Sequence, residues 1–239
     1  MSFRNVYEDT VRAEAYSRLE FPGTYFLAYR DVPDILSRHV AGRNAVDFGC
    51  GAGRSTRFLR RLGFEAVGVD VSADMIGRAR ELDPSGDYRL VEPARLTGLA
   101  SGAFDLVFSA FTFDNIPQPG KVSHFRDLTR LLAPDGRLVS LVSNPEIYTH
   151  EWASFSTRDF PENRRATSGD VVRIVMTDVT DSRPVEDVVC SKAAYLELYG
   201  QAGLDLVASY EPLGREDEPF SWVNETSVAP WRVDVLKRG

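Results

Sequence analysis

Residues 45 to 56, AVDFGCGAGRST, place three glycines within five positions directly after an apolar run that holds a single aspartate. Glycine has no Cβ, so a turn built this way lets backbone N–H groups and the N-terminus of a following helix come close to a ligand. A dinucleotide fingerprint would read GxGxxG, its third glycine allowing the helix to pack tightly. Here the spacing is GxGxG and Arg54 stands where that glycine would be, which argues against a pyrophosphate. The next apolar run, AVGVD, ends in Asp70, a carboxylate able to accept from both hydroxyls of a ribose. Together the two features describe a site for a nucleoside. Tight packing of a glycine-rich turn, with no ligand, is the plainer alternative.

A second group of reactive side chains lies downstream. His150 is one of only three histidines, and its ordinary pKa suits a general base near neutrality. Glu151 beside it is a second candidate for proton transfer, although a hydrogen-bonded loop histidine and a capping glutamate are the commoner roles. Tyr148 and Trp152 flank the pair; Trp222, Glu225 and Trp231 come from the later stretch EPFSWVNETSVAPW. Aromatic and acidic residues in such loops suit a pocket for an aromatic or amine-bearing small molecule, while a small satellite core is the alternative for Trp231. Asp114-Asn115 has no matching third ligand for a metal, so no metal is expected.

These residues need elements to hold them. Short β-branched runs at 45–48, 66–69, 88–91, 104–108 and 137–142 are separated by stretches long enough for crossovers, and helical patterns fill most of them. Thr56, Phe58, Leu59 and Leu62 recur at helical spacing and stop at Gly63; Met75, Ile76 and Ala79 do so after Ser72, a good N-cap. Strand and helix in alternation predict a parallel sheet with helices on both faces. After residue 142 the alternation breaks into a long aromatic excursion containing DVVRIVMTDVTDSRPVEDVV, which predicts an inserted lid carrying a hairpin. A helix, KAAYLELYGQAG, and two runs at 204–210 and 231–236 follow, reading as an antiparallel pair joined by a long loop.

On these residues the chain resembles the class I S-adenosylmethionine (SAM)-dependent methyltransferases. DFGCGAGRS looks like their first motif and GVDVSADMI their second. LVEPARL is similar to the third, FDLVFSAFTFDNIP to the fourth strand and its loop, and LLAPDGRLV to the turn before the fifth strand, where Arg137 replaces a second glycine. The resemblance covers about residues 40 to 143. It implies a Rossmann-like seven-stranded, mostly parallel sheet of order 3-2-1-4-5-7-6 with strand 7 antiparallel. It also implies SAM as cofactor, S-adenosylhomocysteine as product, and the site at the carboxyl ends of the first strands. Gly49, Cys50 and Gly51 would flank the methionine portion, with Asp47 beneath the loop; Asp70 would hold the ribose. Val71 and Met75 would sandwich the adenine, Glu92 and Pro93 would lie near its amine, and Ser109 beside the sulfonium. Tyr25 and Arg30 belong to the segment that related enzymes lay over the cofactor. Members that methylate amides and exocyclic amines carry (N/D)PP(Y/F) after the fourth strand; Ser109-Ala110-Phe111-Thr112 stands there, which disfavours glutamine and adenine amines.

Composition narrows the rest. With 28 basic and 35 acidic residues and a net charge of −7, nothing supplies the positive field that nucleic acid needs. Two cysteines cannot make a multi-bridge scaffold or a four-thiolate zinc site, and no window approaches the ~20 apolar residues of a membrane span. A single cytoplasmic domain is expected over 1–239, divided into an N-terminal helical cap (1–43), a SAM-binding half (44–143), a lid (144–190) and a C-terminal helix and strand pair (191–239), as a monomer or homodimer. The predicted activity is methyl transfer to a small-molecule acceptor by in-line displacement. A SAM-binding protein without turnover and a nucleotide-dependent oxidoreductase are the alternatives.

Overall fold

The structure is a computed structural model that describes residues 22–92, 96–179 and 181–239. Two short helices, α1 (Thr24–Arg30) and α2 (Val32–His39), lead into β1 (Asn44–Phe48). Then come α3 (Arg54–Arg61), β2 (Glu65–Asp70), α4 (Ala73–Leu82), β3 (Asp87–Leu90), β4 (Phe104–Ala110), α5 (Gln118–Leu131) and β5 (Leu132–Ser143). The excursion holds β6 (Phe155–Ser156), β7 (Val171–Met176) and β8 (Val185–Val188); α6 (Lys192–Gln201), β9 (Leu204–Tyr210) and β10 (Trp231–Arg238) complete the chain.

Seven strands form one sheet in the order β3-β2-β1-β4-β5-β10-β9, with β10 antiparallel to both neighbours, which is the predicted topology. Alternation along the strands explains why helices cover both faces. Ala45, Leu106, Phe108, Val139 and Leu141 point to a core shared with α1, α2, α3 and the lid, whereas Val46, Val107, Leu138 and Val142 meet α5 and α6. β5 starts five residues before the predicted run: Leu132 pairs with Phe104, and a register shift follows before Leu106 pairs with Arg137. The long excursion folds as a separate three-stranded antiparallel sheet, β6-β7-β8. Its inward residues Val172, Ile174, Met176 and Val185 join the first core, which seats the lid over the carboxyl ends of β4 and β5. Ser72 caps α4 as expected, its hydroxyl accepting from the Met75 N–H at 3.3 Å. No helix among the described residues is long and apolar enough to cross a membrane.

Candidate active site

The glycine turn is held from below and from one side. Asp47, fully buried at the end of β1, accepts from the Ser55 and Thr56 hydroxyls through Oδ2, both at 2.6 Å. Its Oδ1 has no partner, and burial lifts the carboxyl to about 6. Gly49, Gly51 and Gly53 all have positive φ (71°, 52° and 80°), a conformation side chains disfavour. A Cβ on Gly49 would strike the Thr112 side chain and one on Gly53 the Tyr88 ring, whereas one on Gly51 would meet nothing nearer than Met75 Sδ at 4.0 Å. The turn is therefore packed at its ends and open at its centre.

Asp70 joins that open centre to α4. Its Oδ2 accepts from the Gly51 N–H at 2.8 Å and its Oδ1 from the Ser72 N–H at 2.9 Å, while burial raises its pKa against those two bonds. Each oxygen keeps a lone pair for a further donor. Arg54, in place of a third glycine, lies over the rings of Tyr25 (5.0 Å) and Tyr29 (5.7 Å), coupling the start of α3 to α1.

On the other side of the Thr112 contact a small cavity, partly open to solvent, runs under the lid. Phe111, Asp114 and Asn115 line it from the turn after β4, Ser143 and Ile147 from the end of β5, and Tyr25 and Trp231 from α1 and β10; Phe155, Ile174, Met176, Val185 and Asp187 close it from the lid. Phe111 has φ 61°, the one positive value on a non-glycine among the described residues. Such a conformation costs on the order of 1–3 kcal/mol and needs surroundings that enforce it. They are present: the Phe111 N–H donates to the Leu141 carbonyl (2.8 Å), Asn115 Nδ2 to the Phe111 carbonyl (3.1 Å) and the Thr112 hydroxyl to the Phe48 carbonyl (2.9 Å). The strained turn aims the Phe111 ring at Trp231, with centroids 4.7 Å apart.

A sequence model described as a methyltransferase domain matches residues 46–140, the span holding both the glycine turn and Asp70. Residues 46–140 thus carry a methyltransferase domain, consistent with a class I S-adenosylmethionine-dependent methyltransferase. A ubiquinone biosynthesis O-methyltransferase from Methylococcus capsulatus is 37% identical over 101 residues, 41% of this chain but only 42% of that protein. One from Burkholderia cenocepacia is 24% identical over 194 residues, covering 80% of this chain and 77% of its own. In structure, the CcbJ methyltransferase from Streptomyces caelestis superposes with a TM-score of 0.64 at 19% identity, over 92% of this chain and 100% of that one. A SAM-dependent methyltransferase from Mesorhizobium loti gives 0.63 at 19%, over 88% and 98%. These two likenesses concern the fold.

The cofactor of a class I methyltransferase is SAM, and the residues present fit it. The uncovered centre of the turn at Gly51 admits close approach, and the spare lone pairs of Asp70 suit ribose hydroxyls. Val71 is exposed beside them, Met75 is buried against the turn, Glu92 is exposed, and Pro93 lies outside the described residues. Cys50 is buried, and that burial keeps its thiol protonated. Ser109 is fully buried with no partner for its hydroxyl. Tyr25 reaches the cavity under the lid, but the Arg30 guanidinium is taken up by Asp31, by Glu218 at 2.6 Å and by the Leu213 carbonyl.

The structure separates the remaining predicted residues. Tyr148 is buried and donates its hydroxyl to Asp187 Oδ2 at 3.1 Å. His150, Glu151, Trp152, Trp222 and Glu225 are not among the cavity-lining residues. His150 Nδ1 is shared by the Thr149 hydroxyl and the Glu146 carbonyl. Glu151 organises a turn: burial opposes its ionisation, but the Thr157 N–H, the Ser156 and Thr157 hydroxyls and Arg158 together hold its pKa below the usual value. Trp152 donates to the Ile147 carbonyl and Trp222 to the Arg215 carbonyl. Glu225 is fully buried in a loop-tying role. Asp187, Phe155, Met176 and Phe111 were not singled out by the sequence. An acid at an inward position of a hairpin strand is the one signal that marks Asp187, and it needs the strand register to be read.

Asp187 has a consequence for stability. Burial, and then the nearby Asp114 charge, push its carboxyl up to about 8. Between the ordinary carboxylate pKa, about 4, and 8 the unfolded chain releases a proton that the native protein keeps. The stability Asp187 contributes is thus complete below the lower value and lost as pH rises through the upper. Asp47 acts in the same sense up to about 6. The melting temperature should fall between pH 5 and 8.5, and Asp187→Asn should flatten the upper part of that fall. Its midpoint at pH 8 should rise by about 3–5 °C for each pKa unit relieved, at about 1.4 kcal/mol per unit. Thermal unfolding against pH reads this directly; a variant with the wild-type slope would show Asp187 ionised in the native protein.

Proposed function

We propose that the protein transfers the methyl group of SAM to a small molecule seated in the cavity between Phe111, Trp231 and the lid. The observation that carries this is the position of the cavity. It begins at the strained turn whose next residue, Thr112, packs against Gly49 of the cofactor turn. Bound SAM supplies an electrophilic methyl on a sulfonium, so the chain is left to orient the acceptor, exclude water and take a proton where the acceptor must lose one. α1 and the lid exclude water. Asp187, ionising near the working pH and facing the cavity, is the group suited to take the proton. His150 and Glu151, whose side chains bond to their own loop, are not assigned that role. The protein acts in the cytosol and on neither nucleic acid nor membrane. A hydroxyl acceptor is the second reading, favoured by the ubiquinone O-methyltransferase names of the relatives.

The test supplies labelled SAM with a pool of small metabolites and follows label transfer. Val185→Trp, which fills the cavity from the lid, should retain S-adenosylhomocysteine affinity and lose transfer. Transfer at the wild-type rate by that variant would move the acceptor elsewhere. Cofactor binding with no transfer to any acceptor would favour a SAM-binding protein without turnover.

A further inference from the structure

We propose that the acceptor is a small amine, recognised as its ammonium by Asp187 and Asn115 within the aromatic walls of the cavity. The inference rests on the cavity being the acceptor site. It begins with what the wall lacks. Asp187 is 9% exposed, and only its Oδ2 has a protein partner, the Tyr148 hydroxyl. Asn115 directs Nδ2 to the Phe111 carbonyl, which fixes the orientation of the amide, and its Oδ1 is buried without a partner. Both incomplete groups are acceptors, so the missing partner is a donor.

Charge decides which donor. Asp187 faces Asp114 from the turn after β4, Lys121 from α5 and Tyr148 from the segment after β5. Asp114 in turn accepts from the Ser143 N–H and hydroxyl, and Lys121 and Arg232 act on it. Arg232 is already matched by Asp234, at 3.0 Å. Two carboxylates therefore share Lys121, which is fully buried over the Tyr195 ring at 5.2 Å, has no hydrogen-bond partner for its Nζ and is pushed by burial toward the neutral amine. With both carboxylates ionised the cluster is one positive charge short, and a buried carboxylate without a counter-charge is costly; in the free protein the proton that Asp187 keeps makes up the shortage, and a bound ammonium takes its place. A hydroxyl group donates one bond and brings no charge, whereas an ammonium donates up to three and completes the balance. The opposite wall suits the same guest. Tyr25, Phe111, Phe155 and Trp231 contact one another at centroid distances of 4.7 to 5.8 Å, and such ring faces attract a desolvated cation.

The proton follows from this arrangement. One ammonium proton passes to the free oxygen of Asp187, giving a neutral amine and a neutral carboxyl. The nitrogen lone pair then takes the methyl group while the carbon–sulfur bonding pair returns to sulfur. The product is again an ammonium, and Asp187 returns its proton to solvent as the product leaves.

The experiment uses the protein saturated with S-adenosylhomocysteine at pH 7.5 and titrates benzylamine, phenethylamine and cyclohexylmethylamine, each against the alcohol that replaces its amino group by hydroxyl. Amines should bind at least about tenfold more tightly than their alcohols, one ion-pair hydrogen bond's worth. Asp187→Asn should abolish the preference while S-adenosylhomocysteine still binds, and Asp114→Asn should reduce it. Absence of an amine preference in every pair, or its survival in Asp187→Asn, overturns the proposal and leaves the methyltransferase reading standing. Failure of S-adenosylhomocysteine to bind the wild-type protein would instead remove that reading itself.

Discussion

Asp70→Ala should weaken S-adenosylhomocysteine binding by about a hundredfold or more and leave the cofactor-free protein melting close to the wild-type temperature. The carboxylate holds the Gly51 N–H at 2.8 Å and the Ser72 N–H at 2.9 Å, so it shapes the open centre of the glycine turn and the start of α4 together. Hydrogen bonds to a charged group are worth about 1.5–3 kcal/mol each. Losing those a ribose would make to the spare lone pairs, with the turn no longer set, readily amounts to the 2.7 kcal/mol or so behind a hundredfold change. Without cofactor the balance is different. Burial raises the Asp70 pKa, so the ionised group carries a desolvation cost that alanine removes along with its two bonds. Thermal unfolding with and without ligand separates the two effects. At a hundred times the dissociation constant, ligand adds about 2.7 kcal/mol, or roughly 5–10 °C for a chain of this size. That rise should be present in wild type and absent in the variant. A variant that retains it would place the nucleoside elsewhere, and a rise with NAD alone would overturn the assignment of the turn.

The glycine turn and its link to Asp70 were legible in the sequence because their parts are local. Asp47 to Gly53 is one uninterrupted turn and Asp70 ends the next strand, so spacing alone placed them on one sheet edge. The parallel sheet was legible for a related reason, short apolar runs separated by crossover-length segments, whereas its strand order came with the resemblance to a known family. The start of β5 was not, because its early pairing passes through a register shift at the Pro134-Asp135-Gly136 turn that no periodicity marks. The cavity under the lid resisted reading because its walls come from segments far apart in the chain. Tyr25, Phe111, Phe155, Asp187 and Trp231 come from five segments and meet only once the lid is seated. Glu186 and Asp187 are adjacent acids, and only the β7–β8 register, in which Asp187 pairs with Val172, turns one outward and the other in. His150 drew notice through its chemistry, but a side chain's reactivity says nothing of the direction its loop gives it. The left-handed Phe111 is likewise invisible in a sequence, since that conformation is ordinarily left to glycine.

Glu225→Ala should be the most destabilising single change at the rim of the site, by about 3 kcal/mol, since hydrogen bonds to a charged group are worth about 1.5–3 kcal/mol each and removing the carboxylate also relieves its desolvation. The Glu225 carboxylate is fully buried. Its Oε1 accepts from the Thr24 hydroxyl and the Ala153 N–H, both at 2.7 Å, and its Oε2 from the N–H groups of Val223 and Asn224 at 2.8 and 3.1 Å. One side chain thus ties the first turn of α1, the start of the lid and the loop before β10. Trp231 depends on the same knot, because its indole N–H donates to the Thr24 carbonyl at 2.7 Å and its ring forms the cavity wall with Tyr25. Alanine takes the partner from four donors, the buried Thr24 hydroxyl among them, whereas Glu225→Gln keeps one acceptor oxygen and should recover part of the loss. Chemical denaturation should therefore rank wild type above Gln above Ala. Because the glycine turn and Asp70 have no part in the knot, S-adenosylhomocysteine should bind whatever fraction of each variant remains folded. If Ala matches wild type in denaturation, the three segments are held by packing alone, and the cavity owes nothing to Glu225.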